Sequence, residues 1–212
     1  TQVILVPAGG IATDDGHKTY EQVCADLGAA IDRFLSKPEV AFAVLGAIQS
    51  GDTADRIAMA NGGQLGKVVL ASKPLSNPDF PAAKVQTPVL LACDMADEAA
   101  YMEERFGPIS FVVSVPDTAA AVALSERMVN THGALTVGVY STDNAVVDAM
   151  TAATCRSKVA LSINLTGAVF VNQSAAYSDY HGTGGNPAAN ASYADSAFVA
   201  NRFRVVQRRY HV

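Results

Sequence analysis

The residues best placed to do chemistry are two carboxylates set directly before a glycine and a proline. The stretch is Glu103-Glu104-Arg105-Phe106-Gly107-Pro108, followed by the apolar run Ile109 to Val113. That run reads as a strand, and Gly107-Pro108 imposes a tight exit that holds the preceding side chains at the edge of a sheet. A carboxylate at such an edge can accept two hydroxyl hydrogen bonds from a ribose, and an adjacent aromatic ring can bound the base. The same residues also read as the solvated end of an acidic helix, and on the residues alone both readings stand.

Other reactive side chains are dispersed. Cys24, Cys93 and Cys155 form no close pair, which argues against a disulfide framework or a zinc site. His17, His132, His181 and His211 show no ligand spacing. The segment His181-Gly182-Thr183-Gly184-Gly185 is glycine-dense enough to let backbone approach a ligand, and equally reads as a flexible turn. There is no G-x-G-x-x-G opening a helix after a strand, no Walker lysine, no H-E-x-x-H and no G-x-S-x-G elbow.

The elements that must position these residues follow from periodicity. At 212 residues, 50% hydrophobic and 17% charged, the chain can bury one sizeable core. Residues 3 to 7 read as a strand, and residues 7 to 18 as a glycine-bearing loop. Thr19 and Gln22 have capping-box spacing ahead of Val23, Leu27, Ile31 and Phe34, which predicts an amphipathic helix over 20 to 36. Residues 38 to 60 read as helix in pieces, broken at Gly46 and Ser50-Gly51. Short strands at 67 to 71 and 87 to 92 flank a proline-rich loop. Then come a helix at 96 to 105, a strand at 109 to 115, a helix at 118 to 130, a strand at 136 to 140, a helix at 144 to 155, and strands at 159 to 164 and 168 to 171. This alternation predicts an α/β fold with a mostly parallel sheet covered by helices, a three-layer α/β/α arrangement. Residues 1 to 172 form the expected core, and 173 to 212 a working loop with a terminal partner-contacting segment.

A net charge of -5, with its arginines clustered only at Arg202, Arg204, Arg208 and Arg209, argues against a nucleic-acid partner. No apolar stretch approaches the roughly 18 residues that suggest a membrane span. Three N-x-S/T sequons, at Asn164, Asn172 and Asn190, read as chance matches in a cytoplasmic protein without a signal-like start. The strand-like opening TQVILVP, without an initiator methionine, reads as though an upstream portion had been removed.

The charged corner resembles the Glu-Glu-Ile-Phe-Gly-Pro motif of the aldehyde dehydrogenase superfamily, with Arg105 in place of the isoleucine. In the same order, residues 133 to 140 resemble that superfamily's Gly-Leu-Thr-Ala-Gly-Val-Phe block, and residues 167 to 172 its Gly-Thr-Val-Trp-Val-Asn block. More finely, VNQSAAYSDYHGTGGNPAANASYADSAFVANRFRVVQRR, together with GGIATDDGHKTYEQV, is similar to the PaaN-type aldehyde dehydrogenases of phenylacetate degradation. The HGTG segment there replaces the usual Pro-Phe-Gly-Gly type of loop.

The resemblance implies oxidation of an aldehyde or semialdehyde through a cysteine thiohemiacetal, with NAD or NADP as the cofactor and a coenzyme A thioester as one candidate substrate. It implies that Glu104 binds the nicotinamide ribose and that Phe106 packs by the nicotinamide end. Asn172, His181, Gly182, Thr183 and Gly184 become substrate-channel candidates, and Phe203 to Gln207 the strand that pairs with a second subunit in a homo-oligomer. In the family the nucleophilic cysteine lies a few residues before the strand matching Gln2 to Pro7, and the dinucleotide-binding domain lies upstream. The expectation is therefore a catalytic-domain fragment, inactive by itself, binding no cofactor and no metal. Two other readings remain: a non-enzymatic α/β oligomerisation or interaction module, and a small hydrolase using Cys24 or Cys155 with a histidine. The sequence offers no physical reason for Arg105.

Overall fold

The computed structural model describes residues 2–134, 136–166 and 208–210. The chain divides into two compact units, Thr1–Asp117 and Thr118–Val212. The boundary expected between 172 and 173 lies outside the described residues, as do the expected strands at 168 to 171 and 203 to 207.

The first unit is built on a four-stranded sheet in which β1 (Val3–Pro7), β8 (Ile109–Val115), β7 (Val89–Asp94) and β4 (Lys67–Leu70) lie side by side in that order. β1 and β7 each pair parallel to β8, while β4 joins antiparallel at the edge with a bulge between Val68 and Leu70. A central parallel strand is covered on both faces, which is why β8 (Ile-Ser-Phe-Val-Val-Ser-Val) buries three consecutive apolar residues at its centre and does not simply alternate. Phe111, Val112 and Val113 are all fully buried.

Helix α1 (Tyr20–Phe34) covers one face of this sheet. Its start is set by the expected capping box: the Thr19 hydroxyl accepts from the Gln22 amide, and the Gln22 side chain accepts from the Thr19 amide. Val23, Cys24, Leu27 and Ile31 pack with Val6, Leu90 and Val112. The buried members Val6, Val23, Leu90 and Val112 each contribute on the order of 1.5–3 kcal/mol, and the partly buried Leu27 and Ile31 less. Tyr20 adds a polar tie, donating its hydroxyl to the Val112 carbonyl at 2.7 Å. Helices α2 (Pro38–Val44) and α3 (Gly51–Asn61) are the two expected pieces of the alanine-rich stretch, and α3 packs against β7.

Three departures from the sequence reading have local causes. Residues 7 to 18 are not simply a loop: β2 (Ile11–Thr13) and β3 (Gly16–Lys18) form an antiparallel hairpin. Gly10, at φ +84, lets the chain pass so close that a Cβ there would lie 2.1 Å from the Lys18 carbonyl. The proline-rich excursion closes on itself through a two-residue ladder, β5 (Pro74–Leu75) with β6 (Val85–Gln86). The helix expected over 96 to 105 is only α4 (Glu98–Tyr101), because side chains take up the groups that would have continued it.

In the second unit, α5 (Thr118–His132), β9 (Thr136–Val139), α6 (Asn144–Ser157) and β10 (Ala160–Ile163) follow the expected alternation. β10 pairs parallel with β9 on one side and with β11 (Arg208–Tyr210) on the other. Val139, Val147, Met150, Leu161 and Ile163 form the core beneath α6. Arg156 grips Glu126 with two bonds of 2.6 and 2.7 Å, tying α6 to α5 and holding the Glu126 carboxyl below its ordinary pKa. No helix among the described residues is long and apolar enough to cross a membrane.

Candidate functional site

The carboxylate corner lies where β8 begins. Gly107 has φ +144, a backbone geometry side chains rarely adopt, and a Cβ there would sit 3.1 Å from Thr53 Cγ2 on α3. Glycine thus permits the chain to press against α3 before Pro108 turns it into the sheet. The Pro108 carbonyl accepts from the Val89 amide at 2.9 Å, and the Phe111 amide donates to the Gln2 carbonyl at 2.7 Å. The corner is therefore stitched to the starts of β7 and β1.

Between α4 and Gly107 the chain is irregular but heavily bonded. Gln2 donates its amide Nε2 to the Glu103 carbonyl at 2.8 Å and accepts at Oε1 from the Arg105 amide at 3.2 Å. Those two groups belong to the peptide units on either side of Glu104. Arg105 turns its guanidinium back onto α4, donating to the carbonyls of Ala100 at 3.2 Å and Ala99 at 2.5 Å. In a longer helix those carbonyls would accept from the amides of residues 103 and 104. Arg105 thus terminates α4, which is the physical role the sequence left unexplained. Arg56 on α3 donates Nε to the Phe106 carbonyl at 3.0 Å and Nη2 to Thr53 Oγ1 at 3.1 Å.

The backbone of the corner is held while the side chains of Glu104 and Phe106 are exposed. Glu104 is exposed, and no described residue bonds its carboxylate. Phe106 is 70% exposed. The structure brings Glu104 and Phe106 to one corner; Asn172, His181, Gly182, Thr183 and Gly184 lie outside the described residues.

The thiols of the first unit do not serve this corner. Cys24 and Cys93 are buried. Burial pushes both thiols up, Cys93 to about 11 with help from the Asp97 and Asp94 carboxylates. Neither is poised as a thiolate nucleophile. Cys93 also stands four residues along β7 from Val89, about 13 Å at strand spacing, and donates to the Leu65 carbonyl. Cys155 is exposed on α6. Among the described residues no cysteine bonds a histidine; His17 instead lies 2.7 Å from the Gly9 carbonyl. The hydrolase reading therefore finds no cysteine–histidine pair among them.

Sequence reasoning missed Gln2, Thr53 and Arg56. Each is distant in sequence from residues 103 to 107, and the only local signals were a polar residue before an apolar strand and a lone cation in an alanine-rich helix.

No family model matches this chain, and no curated protein does. Among solved structures it is similar to an NAD-dependent aldehyde dehydrogenase from Burkholderia multivorans, with 49% identity and a TM-score of 0.84. The match covers 95% of this chain and 36% of that one, so the chain spans little more than a third of its neighbour's length. The mixed α/β fold with a mostly parallel sheet agrees with that neighbour.

Proposed function

We propose, on the premise that the 49% identity over 95% of its length supports placing this chain in the aldehyde dehydrogenase superfamily, that it supplies the nicotinamide-facing side of an NAD(P)-dependent aldehyde oxidation site. The observation that carries this reading is the exposed Glu104 carboxylate, bonded by no described residue, beside the exposed Phe106 ring on a corner whose backbone is bonded by Gln2 and Arg56. An ionised carboxylate is acceptor-only and can take both hydroxyls of a ribose diol. An aromatic ring beside it gives the flat apolar wall that a nicotinamide ring needs. The acceptor and the ring beside it therefore fit the nicotinamide ribose, which NAD and NADP share, and say nothing against either.

The bound cofactor would supply the hydride acceptor. The residues of this chain bind and orient: Glu104 fixes the ribose, Phe106 limits the tilt of the ring, and Arg56 with Gln2 holds the backbone beneath them. Fixing a reactant in this way is worth several kcal/mol of barrier in well-ordered sites. Because the chain spans little more than a third of the neighbouring enzyme, we place the nucleophilic cysteine and the dinucleotide-binding domain in the remainder of a longer protein. On this reading the 212-residue chain alone turns nothing over.

The finer assignments rest on sequence alone. The HGTG segment at His181 to Gly184 and the tail around it support a PaaN-type enzyme of aromatic catabolism acting on a ring-cleavage semialdehyde or its coenzyme A thioester. Asn172 and residues 181 to 184 would line the substrate channel, and Phe203 to Gln207 would pair between subunits of a homo-oligomer.

The test is Glu104→Gln in the longer protein, which keeps size and shape but removes the charge and turns one acceptor oxygen into a donating NH2 group. Loss of a charge-assisted pair predicts a fall of about tenfold or more in kcat/KM for the cofactor, with the thermal midpoint unchanged because the side chain is exposed. An unaltered kcat/KM would remove Glu104 from the site.

A further inference from the structure

We propose that Arg105 is a positioning residue for cofactor binding: with Gln2 it locks the two peptide units flanking Glu104, so that the carboxylate meets a ribose already in place. The inference rests on the reading that Glu104 binds that ribose. Three observations lead to it.

The Gln2 amide group bridges the Glu103 carbonyl and the Arg105 amide, one on each side of Glu104. The segment these bonds hold has no regular secondary structure of its own, since α4 has already ended at Tyr101. What ends α4 and anchors the segment to it is the Arg105 guanidinium on the Ala99 and Ala100 carbonyls. A forked, planar cation can meet two adjacent carbonyls at once, whereas an ammonium group offers a single point charge on a flexible stem.

A segment held in its bound conformation before the ligand arrives spends less of its interaction energy on ordering itself. Arg105 would touch neither cofactor nor substrate, so its whole contribution to affinity passes through Glu104. A residue acting that way has an effect that disappears when Glu104 can no longer bind. A residue that merely stabilises the fold does not.

The experiment is calorimetric titration of NAD into the longer protein carrying no change, Glu104→Gln, Arg105→Ala, or both. The expected dissociation constants rise about tenfold for Glu104→Gln and about fivefold for Arg105→Ala, with the double variant within about twofold of Glu104→Gln alone. Arg105→Lys, which keeps the charge and one point of contact, should lose about twofold. If Arg105→Ala does not fold, Arg105→Lys carries the test: combined with Glu104→Gln it should give the dissociation constant of Glu104→Gln alone to within replicate error, and a further rise of about twofold would overturn the positioning role. A Glu104→Gln protein that binds NAD like the unchanged one overturns the ribose reading. A normal Glu104→Gln loss, with Arg105→Ala either silent or fully additive, overturns the positioning role alone.

Discussion

At the scale of single residues, environment separates the three thiols. Cys24 and Cys93 are buried, and desolvation favours the neutral form of both; Cys155 is exposed. Alkylation of the folded chain at neutral pH, followed by peptide mass mapping, should label Cys155 first and leave Cys24 and Cys93 largely unmodified. The direction with pH follows from the sign of the shift. A thiol whose pKa is raised on folding keeps its proton longer, so Cys93 should become reactive in the native chain only as pH approaches about 11. Rapid labelling of Cys93 at pH 7 would contradict the burial described here. The residue scale is also where the sequence was most and least informative. Glu104 and Phe106 could be singled out because a motif carries them, and the structure leaves both side chains exposed at the corner. Arg105 could not be explained, since its partners are backbone carbonyls that no side-chain pattern announces.

At the scale of elements, legibility followed the range of the interactions. Helix α1 was readable because both members of its capping box lie within four residues. Replacing Thr19 by Ala removes the bond to the Gln22 amide and should cost about 1 kcal/mol, measured as a lower denaturant midpoint at constant slope. No change in midpoint would mean that packing against β4 and β8 alone fixes the helix start. Helix α4 was over-extended because its stop depends on Gln2, about a hundred residues away, and on Arg105 turning backward. The hairpin of β2 and β3 reads as loop in the sequence because its strands are three residues each and mostly exposed, too short for alternation to register. β8 was legible for the opposite reason: a strand buried on both faces puts apolar residues at consecutive positions, here Phe111, Val112 and Val113, where simple alternation would not.

At the scale of the whole molecule, the proposal to be tested is that this chain contributes the ribose-binding side of an aldehyde dehydrogenase site whose nucleophile lies in the remainder of a longer protein. The fold class was readable from the alternation of apolar strands and amphipathic helices, because each such element reports its own burial. The division at Asp117 was not, because it falls at Asp117-Thr118, in the turn between β8 and α5, and no linker composition marks it. The most direct measurement is aldehyde-dependent formation of reduced cofactor, followed by absorbance, for this chain beside the same sequence extended upstream. The proposal predicts turnover by the extended protein only, lost when the nucleophilic cysteine proposed for that longer protein is replaced by alanine. Turnover by the 212 residues alone would contradict it and return the search for a nucleophile to Cys155.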